Sequence, residues 1–84
     1  MADLTSLRNM GKEYVRKLTS VGITTAEELI KVGSEEAFLK MKIQYPNVCL
    51  VHLYALEGAI TDTDYNCLSE DVKKRLKDFS DGLK

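Results

Sequence analysis

The chain has 84 residues, 44% of them apolar and 30% charged, which predicts one small folded domain over residues 1–84 rather than a disordered tail. Its 12 Lys and Arg side chains against 13 Asp and Glu give a net charge of −1, which excludes a globally basic nucleic-acid-binding protein and an acidic solvating tail. A chain of this length buries only about 60% of its unfolded surface, so we expect no deep substrate cavity.

Three glycines at eleven-residue spacing divide the first part of the chain into short helices. Gly11, Gly22 and Gly33 each follow an apolar residue, at a point where a residue in the left-handed conformation would close one helix and begin a turn. Because each glycine costs about 1 kcal/mol relative to alanine inside a helix, this spacing does not indicate a continuous coiled coil.

Capping residues predict where the helices begin. Thr24 with Glu27 forms a capping-box pattern, and Ser34, Asn47 and Ser69 each stand where a helix could start. No segment alternates with a period of two residues, so the sequence predicts no sheet. The predicted elements are a short turn at 4–7, helices at Lys12–Val21, Thr25–Val32, Glu35–Ile43 and Val48–Ile60, a short turn at 64–68, and a helix at Glu70–Phe79.

The segment Val48–Ile60 is predicted to be the central helix. Its apolar residues leave almost no polar face, which is typical of a buried helix. Within it, Gly58 indicates either the close approach of another backbone or a frayed helix end. The final helix differs, because its apolar residues share a single face: Val72, Leu76, Phe79 and Leu83.

The sequence shows no targeting or membrane-spanning segment. The opening residues 1–10 contain no apolar core of a signal peptide, and residues 48–60 are fewer than the roughly 20 needed to cross a bilayer. Cys49 and Cys67 are too few for a disulfide scaffold and are expected to be reduced thiols. We therefore expect a cytoplasmic protein with no membrane partner, and the initiating Met1 favours a stand-alone chain over an excised domain.

Catalytic and metal sites are not predicted. Cys49 and His52 are three residues apart and could face one metal ion, but a structural zinc site needs four ligands, and Cys67 is the only other soft one. A Cys–His nucleophile pair is also not expected, because a thiolate needs an electropositive, partly exposed setting rather than an apolar helix. Phosphate-loop, dinucleotide and nucleophile-elbow motifs are absent. The prediction is a non-enzyme without metal, cofactor or small-molecule substrate.

Between Leu7 and Gly33 the chain alternates short helices with glycine turns, and its first turn precedes a helix at Lys12. This pattern resembles the helix-hairpin-helix element of non-specific DNA-binding modules. In such an element, glycines let backbone amides approach a phosphate, and the following helix start offers N–H groups and a positive dipole end. The candidate nucleic-acid-binding residues are Arg8, Asn9, Met10, Gly11, Lys12, Arg16 and Lys17.

The local charge supports this hypothesis, because the segment from Arg8 to Lys17 holds four basic residues and one acid, Glu13, giving +3. Asn9 stands where the first hairpin glycine is expected, so one position of close approach is lost, although asparagine tolerates a positive φ. One such hairpin would bind weakly and in a salt-sensitive manner. A structural hairpin with a solvated basic face is the alternative.

Several motifs extend the comparison to nearly the whole chain: the segment Leu7–Gly11, the pattern from Leu18 to Thr25, Glu28-Leu29, Val32-Gly33, and the octapeptide Leu53–Ile60 (LYALEGAI). Over about residues 4–77 the chain resembles the C-terminal domain of the TfoX/Sxy competence-regulator family. In that family tryptophan is common at the position of Tyr65, and proline at that of Arg8.

The resemblance implies an all-α fold of five helices, of the SAM-like type and similar to the C-terminal domain of the RNA polymerase alpha subunit. It also implies a regulatory role, because the full-length regulators act with a DNA-binding activator to switch on competence genes. No catalytic residues come with the family.

Two functional hypotheses follow. The chain is either a transcription-associated module with weak, non-specific contact to the DNA backbone, or a protein-interaction module whose partner is a transcription regulator or a second copy of itself. The net charge favours the second hypothesis, whereas the hairpin and its local charge favour the first. Tyr14, Tyr45 and Tyr54 are candidate anchors for a protein partner, with Tyr54 more suited to the core.

Overall fold

Five α-helices and two short 3-10 turns form the fold of residues 2–83, the part of the chain that the computed structural model describes. Within this range there is no strand, and Asp3 and Thr25 form an isolated backbone bridge. The predicted all-α architecture of five helices is confirmed. The elements are a 3-10 turn at Leu4–Ser6, α1 at Lys12–Ser20, α2 at Ala26–Val32, α3 at Ser34–Gln44, α4 at Leu50–Thr61, a 3-10 turn at Tyr65–Cys67, and α5 at Glu70–Asp81.

Two of the three regularly spaced glycines adopt the predicted positive φ. Gly22 and Gly33 have φ values of 91° and 90°; Gly33 directly follows α2, and Gly22 follows α1 after Val21. The prediction for Gly11 is wrong, because its φ is −79° and it is the N-cap residue of α1. The left-handed residue of this turn is Asn9, with φ of 69°.

The predicted caps of α2 and α3 are displaced or absent. The α2 cap is Thr25, whose hydroxyl accepts from the Glu28 amide at 3.1 Å, so the predicted pairing of Thr24 with Glu27 is wrong by one residue. Ser34 does not cap α3, because its hydroxyl donates to Glu57 Oε1 at 2.6 Å. In both places a carboxylate accepts from the hydroxyl that was expected to cap the helix: Glu28 accepts from Thr24, and Glu57 accepts from Ser34.

The caps of the last two helices differ in outcome. α4 begins after Cys49, its N-cap residue, and not at the predicted Asn47. The reason is a backbone turn in which the Val48 amide donates to the Tyr45 carbonyl at 3.0 Å, which delays the start of the helix. The prediction for α5 is confirmed, since the Ser69 hydroxyl accepts from the Val72 amide at 3.3 Å.

α4 occupies the centre of the molecule, where it contacts α3, α5 and the second 3-10 turn. Leu53 and Leu56 are fully buried, whereas Val51 on the outer side is 47% exposed. The prediction of a central helix is therefore confirmed, although α4 keeps one exposed side near its start. The largest fully buried side chains come from six elements: Leu4, Leu18, Leu29, Phe38, Met41, Leu53, Leu56 and Leu76.

Gly58 is a point of close approach between α4 and the residues packed on it. A β-carbon at this position would overlap the Thr63 carbonyl oxygen and the side-chain nitrogen of Asn9. The prediction that another backbone comes close at Gly58 is therefore confirmed. This contact fixes the turn that precedes α1 against the centre of the fold.

Candidate nucleic-acid interface

The candidate site consists of the turn between the first 3-10 turn and α1, together with the exposed face of α1. The structure places Arg8, Gly11, Lys12 and Arg16 on the surface. Lys17 is half-buried on the same helix. These residues follow the chain from the hairpin to the second turn of the helix.

Asn9 is directed toward the fold rather than toward solvent. Its Nδ2 donates to the carbonyl oxygens of Thr63 at 3.0 Å and Ala55 at 3.4 Å, and its Oδ1 accepts from the Tyr65 amide at 3.4 Å. An asparagine with this set of partners stabilises the positive φ of the turn. The side chain of Asn9 therefore holds the hairpin in place.

Met10 is also part of the structural frame. Its side chain is 6% exposed within the hydrophobic core, and its amide donates to the Leu7 carbonyl at 3.4 Å. Because Met10 and Asn9 both face inward, the hairpin presents Gly11 and Lys12 to solvent. The accessible part of the candidate site thus consists of Arg8 and the residues from Gly11 onward.

The start of α1 has no side-chain cap. Gly11 is its N-cap residue, and the first turn closes with the Val15 amide donating to the Gly11 carbonyl at 3.1 Å. The amides of Lys12, Glu13 and Tyr14 come before that bond, so α1 provides them with no internal acceptor. These amides can donate hydrogen bonds to an anion, which the positive dipole end of the helix also attracts.

Acidic neighbours reduce the positive charge around this helix start. Arg16 donates to Glu13 Oε2 at 2.7 Å, and Arg8 Nε lies 3.5 Å from Asp62 Oδ1. The bond from Arg16 lowers the pKa of Glu13 and raises the pKa of Arg16 itself. Water and salt screen exposed pairs of this kind, so both arginines can exchange their carboxylate for another anion.

The two lysines of the site lie in different environments. Lys12 is exposed and forms no ion pair or hydrogen bond with any residue in 2–83. Lys17 Nζ lies 5.6 Å from the centre of the Tyr45 ring, and the Tyr45 hydroxyl is 2.8 Å from Ser20 Oγ. Lys12 is consequently the cation of the site that is most available to a ligand.

A second polar arrangement lies at the start of α4, where the sequence analysis considered Cys49 and His52 as metal ligands or a nucleophile pair but not as a helix cap. Cys49 is exposed, its amide donates to Nδ1 of His52 at 3.1 Å, and its Sγ is 3.5 Å from the same nitrogen. The imidazole takes the place of the Glu or Gln that usually completes a capping box. The spacing of Cys49 and His52 fits the first and last positions of that motif, which was the signal available in the sequence.

His52 contacts α1 as well. Its ring centroid is 5.3 Å from that of Tyr14, at an angle of 49°. Burial lowers the pKa of His52, and the positive charge of Lys17 lowers it further. No group of three or more potential metal ligands occurs among the described residues.

Comparison with known protein families identifies the family of this chain. The model of the TfoX C-terminal domain matches residues 1–80. The chain belongs to the TfoX C-terminal domain family. No curated protein matches the chain. Membership places the chain in a family of regulatory-type domains.

Two solved structures share both the fold and much of the sequence of this TfoX C-terminal domain. An uncharacterised protein from Listeria monocytogenes, in a triclinic crystal form, is 43% identical, with a TM-score of 0.95 over 98% of this chain and 93% of that one. A protein of unknown function from the same organism, in a tetragonal form, is 41% identical, with a TM-score of 0.95 over 98% of this chain and 100% of that one.

A surface groove of this TfoX C-terminal domain lies away from the hairpin, between α3, α4 and α5. Glu57 is its central group, because it accepts from Ser34 and pairs with Arg75 at 3.2 Å. Ser34, Glu57 and Arg75 thus satisfy one another within the groove. Across residues 2–83, every helix is too short or too polar to cross a lipid bilayer.

Proposed function

We propose that this chain is a non-enzymatic regulatory binding module that contacts the nucleic-acid backbone weakly through the start of α1. The observation that carries the proposal is the helix start at Gly11, which has no side-chain cap and is followed by the exposed, unpaired Lys12. Family membership supports the regulatory part of the proposal. The exposed, unpaired thiols of Cys49 and Cys67 support a cytoplasmic location.

A phosphate at this position would accept hydrogen bonds from the first amides of α1 and a charge-assisted bond from Lys12. Arg16 and Lys17, one turn further along the helix, would contact the next phosphate of the strand. Glu13 opposes a phosphate in this place, and Arg16 either stays on Glu13, 2.7 Å away, or turns to the next phosphate and leaves Glu13 unpaired. The attraction of the basic residues and the repulsion from Glu13 together give a weak contact. The contact is non-specific because none of these groups hydrogen-bonds to a base.

Titration of isotopically labelled protein with duplex DNA at low salt tests the proposal. We expect the amide resonances of Gly11, Lys12 and Glu13 to shift, with smaller changes at Arg8 and Arg16. Raising the salt from about 50 to about 200 mM should weaken binding about tenfold if about two phosphates are contacted. Unchanged resonances from Arg8 to Lys17 at low salt would refute DNA contact through this site.

Two triple variants with the same change in net charge show whether DNA binding depends on the basic residues of α1 or only on the net charge of the protein. Charge reversal at Lys12, Arg16 and Lys17 to Glu should abolish the DNA-dependent shifts. Reversal at Lys31, Lys40 and Lys74 to Glu changes the net charge equally on other helices and should leave binding within about twofold of the unaltered protein. Equal losses in the two variants would contradict the assignment to α1.

The second candidate function is a protein-interaction module, and one observation favours it. Ile43, near the end of α3, is 84% exposed, the largest exposed fraction among the large apolar side chains of residues 2–83. The partner would be a transcription regulator or a second copy of the chain, forming a homodimer. Sedimentation equilibrium with the Ile43→Asp variant tests self-association: a dimer that this change dissociates supports the second function.

A further inference from the structure

Aromatic rings flank α1 from its first turn to its last residue. Near the start of the helix, the ring of Tyr14 packs on that of His52, with the two centroids 5.3 Å apart. At the end of the helix, the Tyr45 hydroxyl is 2.8 Å from Ser20 Oγ. Both tyrosines and the histidine are half-buried, so each ring keeps some surface in contact with solvent.

Tyr65 extends this row of rings past the start of α1. Its amide donates to Asn9 Oδ1 at 3.4 Å, which places Tyr65 beside the turn that precedes the helix. Burial raises the pKa of the Tyr14 hydroxyl, and the nearby Cys49 and Tyr65 raise it further, so the two tyrosines lie within electrostatic reach of each other. Tyr65 is 36% exposed, whereas the other three tyrosines pack partly against the hydrophobic core. It is therefore the tyrosine most accessible to a ligand.

Basic side chains of α1 lie next to these rings. Lys17 Nζ is 5.6 Å from the centre of the Tyr45 ring, and the charge of Lys17 lowers the pKa of His52 after the larger effect of burial. Arg16 lies near the same tyrosine, because its pKa is raised by Glu13 and, to a smaller extent, by Tyr45. Glu13 is the one acid of the helix. This side of the molecule therefore combines aromatic rings with an excess of positive charge.

Such a combination suits a single strand of DNA better than a duplex. In a duplex the bases stack on one another, so a protein surface meets only the phosphates, the sugars and the base edges in the grooves. In a single strand the bases can stack on aromatic side chains while basic residues hold the phosphates. A duplex would use the cations of α1 alone, whereas a single strand would use the rings as well.

We propose that the DNA bound along α1 is single-stranded, with one base stacked on Tyr65 and the neighbouring phosphates on the basic residues of the helix. This inference rests on the proposed function, because the phosphates use the same contact at the start of α1. When Lys17 turns from the Tyr45 ring to a phosphate, that ring becomes available to a second base. Every base has an aromatic face, so the stacking tolerates any sequence.

Three DNA probes that differ in their accessible bases test the proposal. An oligothymidylate of about twelve nucleotides offers unstacked bases, an abasic strand of the same length offers the phosphates alone, and a duplex of that length hides its base faces. Fluorescence anisotropy of a dye on each probe measures binding at low salt. We expect the unaltered protein to bind the oligothymidylate about tenfold more tightly than the abasic strand. It should also prefer the oligothymidylate to the duplex, despite the higher charge density of the duplex.

Variants at Tyr65 show whether its ring causes this difference. Tyr65→Ala should bring the affinity for the oligothymidylate to within about threefold of that for the abasic strand, whereas Tyr65→Phe keeps the ring face and should bind like the unaltered protein. Ile30→Ala removes another exposed apolar side chain, on α2, and should leave binding unchanged. The thermal midpoint should stay the same in all three variants, because both side chains are exposed and Asn9 holds only the backbone of Tyr65.

The outcomes separate this inference from the proposed function. Equal affinities for the three probes, or an unchanged preference for the oligothymidylate in Tyr65→Ala, would overturn stacking while leaving the phosphate contact of α1 in place. Failure of the unaltered protein to bind any of the probes would refute both proposals. A preference that is lost in Tyr65→Ala and kept in Tyr65→Phe and Ile30→Ala supports the single strand as the ligand.

Discussion

The side-chain amide of Asn9 lies over Gly58 so closely that a β-carbon on the glycine would overlap it. The Thr63 carbonyl, which accepts from Asn9 at 3.0 Å, occupies the other side of the same space. The turn at Asn9 and the end of α4, which are about fifty residues apart in sequence, therefore meet at a glycine of the central helix. This relationship determines the shape of the hairpin and can be tested directly.

Gly58→Ala should destabilise the protein by about 2 kcal/mol. Alanine alone would favour the helix by about 1 kcal/mol, but the overlap involves a backbone carbonyl that cannot turn aside, and overpacking of this kind costs about 1–3 kcal/mol beyond that gain. Urea unfolding followed by circular dichroism measures the change. Gly82→Ala, whose new β-carbon would meet its nearest atom at 3.4 Å, is the control and should stay within about 0.5 kcal/mol.

Asn9→Asp should destabilise the protein by about 2 kcal/mol at neutral pH, although the two side chains have the same shape. A carboxylate cannot donate to the carbonyls of Thr63 and Ala55 and would be repelled by both. Asn66→Asp, on the exposed 3-10 turn, is the matched control and should have little effect. If both variants unfold at the same urea concentration, the hydrogen bonds of Asn9 do not stabilise the hairpin.

Glu57→Ala should cost more than Glu57→Gln. Glutamine still accepts from Ser34 and loses only the ion pair with Arg75, for an expected loss of about 0.5–1 kcal/mol. Alanine leaves the Ser34 hydroxyl, in a residue only 6% exposed, without its acceptor, for about 2 kcal/mol or more. Adding Ser34→Ala to Glu57→Ala should restore part of that loss in denaturant unfolding, and a purely additive result would contradict the coupling.

The free energy of unfolding should decrease as the pH is lowered, because His52 takes up a proton on unfolding. Burial, reinforced by Lys17, lowers the pKa of His52 from its ordinary value of 6.5, so the unfolded chain binds a proton that the folded chain does not. The contribution is complete above 6.5 and is lost as the pH falls through 6.5 toward the folded pKa. Glu27 and Glu28, whose pKa values are lowered from 4.5 by hydrogen bonds, act only at lower pH.

Urea unfolding at several pH values measures this effect. Between about pH 7 and about pH 5.5 the unaltered protein should lose stability, and His52→Gln should lose clearly less. The carboxylates are common to both proteins, so they cancel in the comparison. Parallel curves for the two proteins would show that His52 titrates equally in the folded and unfolded states.

The helices of this protein were predictable because local patterns determine them. The apolar segment around Leu53 and Leu56 predicted the central helix, and Gly22 and Gly33 predicted two helix ends, since a positive φ after a helix is a local requirement. The family was recognisable for a similar reason, because its motifs are continuous stretches such as LYALEGAI.

Contacts between distant residues explain the predictions that failed. Whether Asn9 or Gly11 takes the positive φ depends on Thr63 and Ala55, which bind the Asn9 side chain from 54 and 46 residues away. Ser34 left its expected capping role for Glu57, 23 residues later. The start of α4 is the exception, because a local turn, in which the Val48 amide donates to the Tyr45 carbonyl, delays the helix and leaves Cys49 exposed.

The anchoring of Asn9 also bears on how fast the hairpin can respond to a partner. Because Asn9 already holds the turn against α4, a partner that binds at Gly11 and Lys12 meets a preorganised surface. Little conformational entropy of the backbone is therefore lost on binding. The association rate should then be set by diffusion and charge, without a slow ordering step. Because the contact is weak, dissociation should also be rapid.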